Sequence, residues 1–215
     1  DALMAWLRAY AAATSSTAGY SQILDAATPG QGDKPARSTA DRYRRVLESL
    51  WLLDPVPAWE LGGSQFTRLA RSPKHHLADP ALAARLLGLN EAKLLGTGGG
   101  SVGPEGRAVL GSMFESLATL CIRVAAQAAE ADVGHLRTRD GDHEVDLVVT
   151  REDGDILAIE VKAAGAVNDG DTKHLQWLRK QMGQRLIDSI IVNTGTAAYR
   201  RPDGVGIVPF APIDV

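Results

Sequence analysis

Apolar residues recur every three to four positions through the first part of the chain and every second position through much of the rest. That change of period divides the sequence. Leu3, Met4, Trp6, Leu7, Tyr10 and Ala11 predict an opening helix, and residues 20–27 a short second one. Pro29-Gly30-Gln31-Gly32 breaks the pattern, after which Ser38 is placed to cap a third helix. This helix carries Tyr43, Val46, Leu47, Leu50 and Trp51 on one side, with Arg42, Arg44 and Arg45 near its start. Residues 52–56, a turn at Leu61-Gly62-Gly63-Ser64 and a segment over 66–69 then predict two short strands.

Three helices and a two-stranded wing make a winged helix-turn-helix, expected over 1–72. A connecting stretch over 73–103 contains a short strand at 74–79, a helix over 80–89 with proline at its first position, and a Gly-rich linker from Gly96 to Gly103. No Gly-Lys-Ser/Thr follows those glycines, so they form no Walker A loop and no nucleotide site is expected. From Pro104 the stripe Val109, Leu110, Met113, Phe114, Leu117, Leu120, Cys121, Val124 and Ala125 predicts a long amphipathic helix, with Glu115, Ser112, Ser116 and Thr119 off it. The period then becomes two over 135–139, 144–150 and 156–161, with turns at Asp140-Gly141 and Glu152-Asp153-Gly154. A helix over 171–182, a strand over 187–193 and a last one over 207–210 complete an αβββαβ order with an extra edge strand. The expected class is α/β, with this second domain spanning 104–215.

Composition narrows the picture. A chain of 215 residues, 45% hydrophobic, can bury a full core. Net charge is only −3, but eight basic residues (Lys34, Arg37, Arg42, Arg44, Arg45, Arg68, Arg71, Lys74) face four acids (Asp41, Glu48, Asp54, Glu60) between 34 and 74. Such asymmetry suits a region that touches phosphates beside one that binds cations, although a solvated helix face has the same look. The single Cys121 excludes an internal disulfide and is read as a small core residue in a reducing compartment. No segment is expected to reach the ~20 apolar residues that span a bilayer, and no secretory signal is evident, so a cytoplasmic location away from membranes is expected. The opening at Asp1, inside a helical pattern, suggests a piece of something longer.

The chemistry concentrates where acids interrupt apolar strands. Asp146 in Val-Asp-Leu-Val-Val and Glu160 in Ile-Glu-Val-Lys are costly there unless something compensates them. Glu160 and Lys162 share a face, being two apart. If Glu152-Asp153-Gly154 forms a three-residue loop, Asp146 opposes Glu160; a two-residue Asp153-Gly154 turn would throw Glu160 to the far face. The three-residue loop is favoured. Two carboxylates with Cβ atoms roughly 5 Å apart then repel, and Mg²⁺ or Mn²⁺ is the compensating cation that fits oxygen donors. Arg137 and Arg139 flank the cleft as phosphate holders, or Arg137 pairs across the strands with Glu144. His75 and His76 lack partners at zinc spacing, and His174 and Trp177, placed to approach a substrate, are read as a rim contact and a core residue.

Asp146 followed by Glu160-Val161-Lys162 on an αβββαβ core resembles the PD-(D/E)XK (restriction-endonuclease-like) superfamily, with Val145 where the leading proline would stand. The succession Lys74-His75-His76-Leu77-Ala78-Asp79-Pro80, Phe114-Glu115-Ser116-Leu117, Glu144-Val145-Asp146-Leu147 and Ile159-Glu160-Val161-Lys162 is similar to the uncharacterised C-terminal region of bacterial and archaeal AAA-type ATPases, over nearly the whole chain. That resemblance implies a Mg²⁺-dependent nuclease-like module with Asp146, Glu160, Lys162 and Glu115 as catalytic residues. Asp146, Glu160 and Glu115 would hold the metal, and Arg42, Arg44, Arg45, Arg137 and Arg139 would hold nucleic acid, DNA foremost. It also implies an N-terminal ATPase module as partner. The alternative is a catalytically inactive DNA-binding or protein-interaction domain that regulates that ATPase.

Overall fold

The computed structural model describes residues 2–28, 36–59, 72–96, 103–138 and 141–210. The chain divides into two compact units, one of residues 1–56 and 72–117, the other of 57–71 and 118–215.

In the first unit the 3.6-residue period yields α1 (Ala2–Ala12), α2 (Tyr20–Ala27), α3 (Arg37–Ser49), α4 (Pro80–Leu86) and α5 (Glu91–Leu95). Trp6, Tyr10, Ile23, Leu24, Leu47 and Ala83 close one core, and each large apolar side chain buried there contributes about 1.5–3 kcal/mol. Asp79 caps α4 by accepting from the Ala81 N–H at 2.7 Å, with Pro80 at the first helical position. The α3 helix starts earlier than its serine suggests, because Ala36 is the cap and Ser38 lies inside the first turn. It ends in a Schellman motif, where Trp51 N–H donates to Glu48 O at 3.0 Å and Leu52 N–H to Leu47 O at 2.9 Å. Trp51 therefore occupies the left-handed position (φ 57°) that normally takes glycine, and it is 82% exposed.

Among the described residues, the segment after α3 pairs with a stretch that the expected wing did not include. Leu53 and Val56 bridge antiparallel to Leu77 and Lys74, so the partner of 52–56 is 74–77. The Leu61-Gly62-Gly63-Ser64 turn and the 66–69 segment lie outside the described residues. The reason for this partner is that 74–77 is bonded on both sides. Val56 and Lys74 exchange two backbone bonds of 2.9 Å, while His75 donates to Ser16 O and accepts from Ser15 N–H, each at 2.8 Å. A strand satisfied on both edges can be buried in spite of its three basic side chains.

The long helix α6 (Pro104–Ala128) is present and packs Val109 and Met113 of the predicted stripe on the first core, but beyond them the stripe turns outward. Met113, Ser116, Ala118, Thr119 and Ala126 are buried, whereas Leu117 and Val124 are 37% and 61% exposed and Cys121 is exposed too. Cys121 is thus not a core residue. Small side chains allow close approach, and the buried hydroxyl of Ser116 meets His76 Nδ1 at 3.1 Å, so the polar side of the helix can face inward. An 18-residue window of α6 has a mean hydropathy of 1.5, enough by length and composition to cross a bilayer. This corrects the expectation that no segment is long enough. Within the same helix, however, Glu115 is ion-paired to Lys74 at 2.9 Å.

The second unit is a six-stranded mixed sheet of order β1-β2-β3-β4-β6-β5. Its strands are β1 (Asp132–Arg137), β2 (Glu144–Thr150), β3 (Ile156–Lys162), β4 (Leu186–Asn193), β5 (Tyr199–Arg200) and β6 (Gly206–Pro209). The meander β1–β2–β3 is antiparallel, and α7 (Asp169–Met182) carries the chain over to β4, parallel to β3. The last predicted strand, β6, is not the edge: it runs parallel to β4, and β5 pairs outside it. At the other end Ala58 bridges His135 of β1, and the Trp59 indole N–H donates to Thr150 Oγ1 at 3.0 Å. Gly134 makes room for this, since a Cβ there would come 2.8 Å from Trp59 Cβ.

Candidate functional site

Strand register decides whether the acids meet. The β2–β3 ladder runs from Thr150–Ile156 to Leu147–Ile159 and stops short of Asp146, which lies where the β1–β2 register shifts between Val148 and Val145. The turn that fixes this is the three-residue one: Arg151 N–H donates to Asp155 O, Gly154 N–H donates to Arg151 O, and Gly154 sits at φ 86°. Asp146 also ends the ladder, its Oδ2 accepting the Val161 N–H at 2.9 Å. Lys162 reaches back along its own strand so that Nζ lies 3.1 Å from Glu160 Oε2.

Both acids are buried, at 8% and 3% exposure, while the Lys162 side chain is 35% exposed. Burial pulls the Lys162 ammonium toward its neutral form, but the charges of Glu160 and Asp146, the hydrogen bond to Glu160 and the charge of Asp171 together raise its pKa above the ordinary lysine value. It is therefore a cation at neutral pH. Lys162 can hold a phosphate oxygen or neutralise developing charge, and it is not a general base.

The elements around this trio frame it. Lys162 and Asn193 are register partners at the carboxyl ends of the parallel pair β3 and β4, the end of an open α/β sheet where ligands bind. Asn193, 2% exposed, donates through Nδ2 to Gly165 O at 3.3 Å and accepts from Gly195 N–H at 3.2 Å, pinning the loops that follow both strands. The α7 helix begins above them with a capping box of Asn168 and Asp171, and buries Leu175 and Leu178 against Val148, Ile156, Ala158 and Ile191. Sequence reading missed Asn193 and Asp171. The Asn-x-x-Asp spacing of the box was the available signal for the second.

The remaining candidates are distributed as follows. Arg137 is the register partner of Glu144 and pairs with it at 3.5 Å, both half-exposed, which is the cross-strand alternative. Arg139 lies outside the described residues. Glu115 belongs to the first unit and is bonded to Lys74. On α3, Arg42 and Arg45 are exposed, while Arg44 lies 4.6 Å over the Tyr20 ring. His75 meets Ala18 O at 2.7 Å and Tyr10 Oη at 3.3 Å, and burial lowers its pKa. Trp177 packs on the second core and stacks on His143 at 4.1 Å between ring centroids, and the His143 and His174 Nδ1 atoms are 3.4 Å apart.

Hard oxygen donors of this kind fit Mg²⁺ or Mn²⁺, which take one or two protein carboxylates and complete an octahedron with water and phosphate oxygens. Among the described residues, no three His, Cys, Asp or Glu side chains gather as a metal-holding group. The two carboxylates would thus be the protein's share of such a shell. A depression of about 370 Å³ lined by Ala129, Glu130, Arg151, Glu152 and Asp153 lies at the β2–β3 turn, the opposite end of the strands from this trio.

No curated protein and no solved structure matches the chain. Two family models do, each over less than half of it: residues 1–93 are similar to a domain of unknown function (DUF8612) and residues 110–213 to another domain of unknown function (DUF4143).

Proposed function

We propose that the chain is a Mg²⁺-dependent, nuclease-like module that hydrolyses phosphodiester bonds in nucleic acid, DNA foremost. In this reading it is a winged helix followed by a PD-(D/E)XK-type domain, from the C-terminal part of a cytoplasmic AAA-type ATPase. The observation that carries it is the gathering of Asp146, bonded to the Val161 N–H, with Glu160 and its partner Lys162 at the carboxyl end of β3. When bound, the cation supplies Lewis acidity toward a phosphoryl oxygen and lowers the pKa of a water. Asp146 and Glu160 orient it, Asp146 being itself oriented by the Val161 N–H. Lys162 holds the attacking water or a non-bridging oxygen by its charge. Arg42 and Arg45 contact phosphates from α3, a sequence-independent contribution that weakens steeply with salt.

Single- and double-stranded DNA and RNA incubated with Mg²⁺ or Mn²⁺ provide the test. Cleavage by the wild type, lost on chelation and in Lys162→Ala, is expected. Equal inactivity of the two proteins on every substrate would defeat the proposal.

One observation favours a second reading, a non-catalytic interaction domain acting on the ATPase. Val46, Leu50 and Trp51 stand 48%, 61% and 82% exposed on α3 beside Arg42 and Arg45, an apolar surface better suited to protein than to phosphate. DNA binding that is absent at low salt, in a protein without cleavage activity, would favour it.

A further inference from the structure

Outside the carboxylate trio, the second unit brings together two histidines whose spacing is unusual. His143 precedes β2 and His174 sits in the second turn of α7, and their Nδ1 atoms are 3.4 Å apart. An N–H donor and its acceptor normally approach to about 2.7–3.2 Å, so this gap is long for a hydrogen bond. It matches something else. Two imidazole nitrogens bound tetrahedrally to one Zn²⁺ at about 2.0–2.1 Å stand about 3.3–3.4 Å from each other.

We propose that His143 and His174 form a binding site for a divalent transition metal of the Zn²⁺ or Cu²⁺ class. The remaining positions of the ion are filled by water or by an incoming ligand, as no third protein ligand joins the pair among the described residues. Imidazole selects such ions over Mg²⁺, which distinguishes this site from the all-oxygen pair of Asp146 and Glu160. Both histidines come from firmly held backbone. Thr138 N–H donates to His143 O at 2.8 Å and His143 N–H to Thr138 Oγ1 at 3.0 Å, while the neighbour of His174, Leu175, is fully buried. Trp177 stacks on His143 with the ring planes 12° apart, holding that ring flat. Both ligands are half-exposed and can be reached, whereas the other three of the five histidines, His75, His76 and His135, are no more than 2% exposed.

Calorimetric titration of Zn²⁺ into the full chain, with Mg²⁺ in excess to occupy oxygen sites, tests this. One ion per chain is expected. Loss of even an outer-shell partner weakens metal binding about 10–100-fold, so His143→Gln and His174→Gln should each weaken it at least about tenfold, and Asp146→Asn should not. In a second measurement, Cu²⁺ should give a paramagnetic resonance spectrum with hyperfine splitting from two imidazole nitrogens, and should quench Trp177 emission, an effect that Trp177→Phe removes while the resonance spectrum persists. Zn²⁺ binding retained in both histidine variants, binding lost only in Asp146→Asn, or no binding at all would each overturn the proposal. None of these readouts uses cleavage, so the site stands or falls separately from the nuclease reading.

Discussion

Each unit contains a lysine bonded to a glutamate, and the two pairs are built in opposite senses. In the first unit Lys74 is 1% exposed and Glu115 is 17% exposed at a separation of 2.9 Å. In the second Glu160 is 4% exposed and Lys162 is 35% exposed at 3.1 Å. A sunken ammonium spends its donors on the protein, so the first pair serves packing. A sunken carboxylate facing another acid, with its cation turned outward, leaves negative charge at a place that ions and phosphates can reach. The same two residue types thus give a buried lock in one unit and an outward-facing charge in the other.

The largest expected effect is on the lock. Glu115→Gln removes the charge opposite a buried ammonium and should cost about 3–5 kcal/mol in urea unfolding, whereas replacing both partners, Lys74→Met with Glu115→Leu, should be near neutral or stabilising. Full stability with a loss of cleavage in Glu115→Gln would break the contrast, by making Glu115 a member of the reactive site. At the outward-facing charge the balance is reversed. Lys162→Met should lower single-turnover cleavage about 10²–10³-fold while the melting temperature stays close to wild type.

A control separates fold from charge. Gly134→Ala pushes a Cβ to 2.8 Å from Trp59 Cβ, so it should destabilise by about 1–3 kcal/mol, measured by denaturation, without altering the metal requirement of any cleavage. The smallest effect is in the pH profile. Because the folded pKa of Lys162 is raised above the unfolded value, its contribution to stability is fully present below the ordinary lysine pKa of 10.5 and is lost as pH rises through the higher folded value. Wild type should therefore lose stability above that pH more steeply than Lys162→Met, and parallel curves would show that the outward lysine is not coupled to its acids.

The elements of the second unit were largely readable, because alternation over 144–150 and 156–161 and the Glu-Asp-Gly turn are local signals, and with Gly154 in the left-handed position they fix the β2–β3 register as far as Leu147 and Ile159. The α6 face was not. Its apolar stripe pointed to a buried Leu117, Cys121 and Val124, and the molecule instead buries Ser116 and Thr119: the Ser116 hydroxyl finds a partner in His76 and is enclosed at small cost, and the small volume of both side chains lets the helix pack closely. The pairing of 53–56 with 74–77, the addition of Ala58 and Trp59 to β1, and the meeting of Lys74 with Glu115 all join residues far apart in sequence. Periodicity holds no record of such contacts.

Sequence by itself determined most of the helical and stranded stretches, the turn that joins β2 to β3, and the shared face of Glu160 and Lys162, because each follows from a period or a loop of a few residues. Tertiary structure alone decided which polar groups are sunk and which look outward: Lys74 inward and Lys162 outward, Arg44 over Tyr20 and Arg42 in solvent, His143 brought to His174. Burial is a property of what packs on a side chain, and the chain's own order does not say what will arrive there.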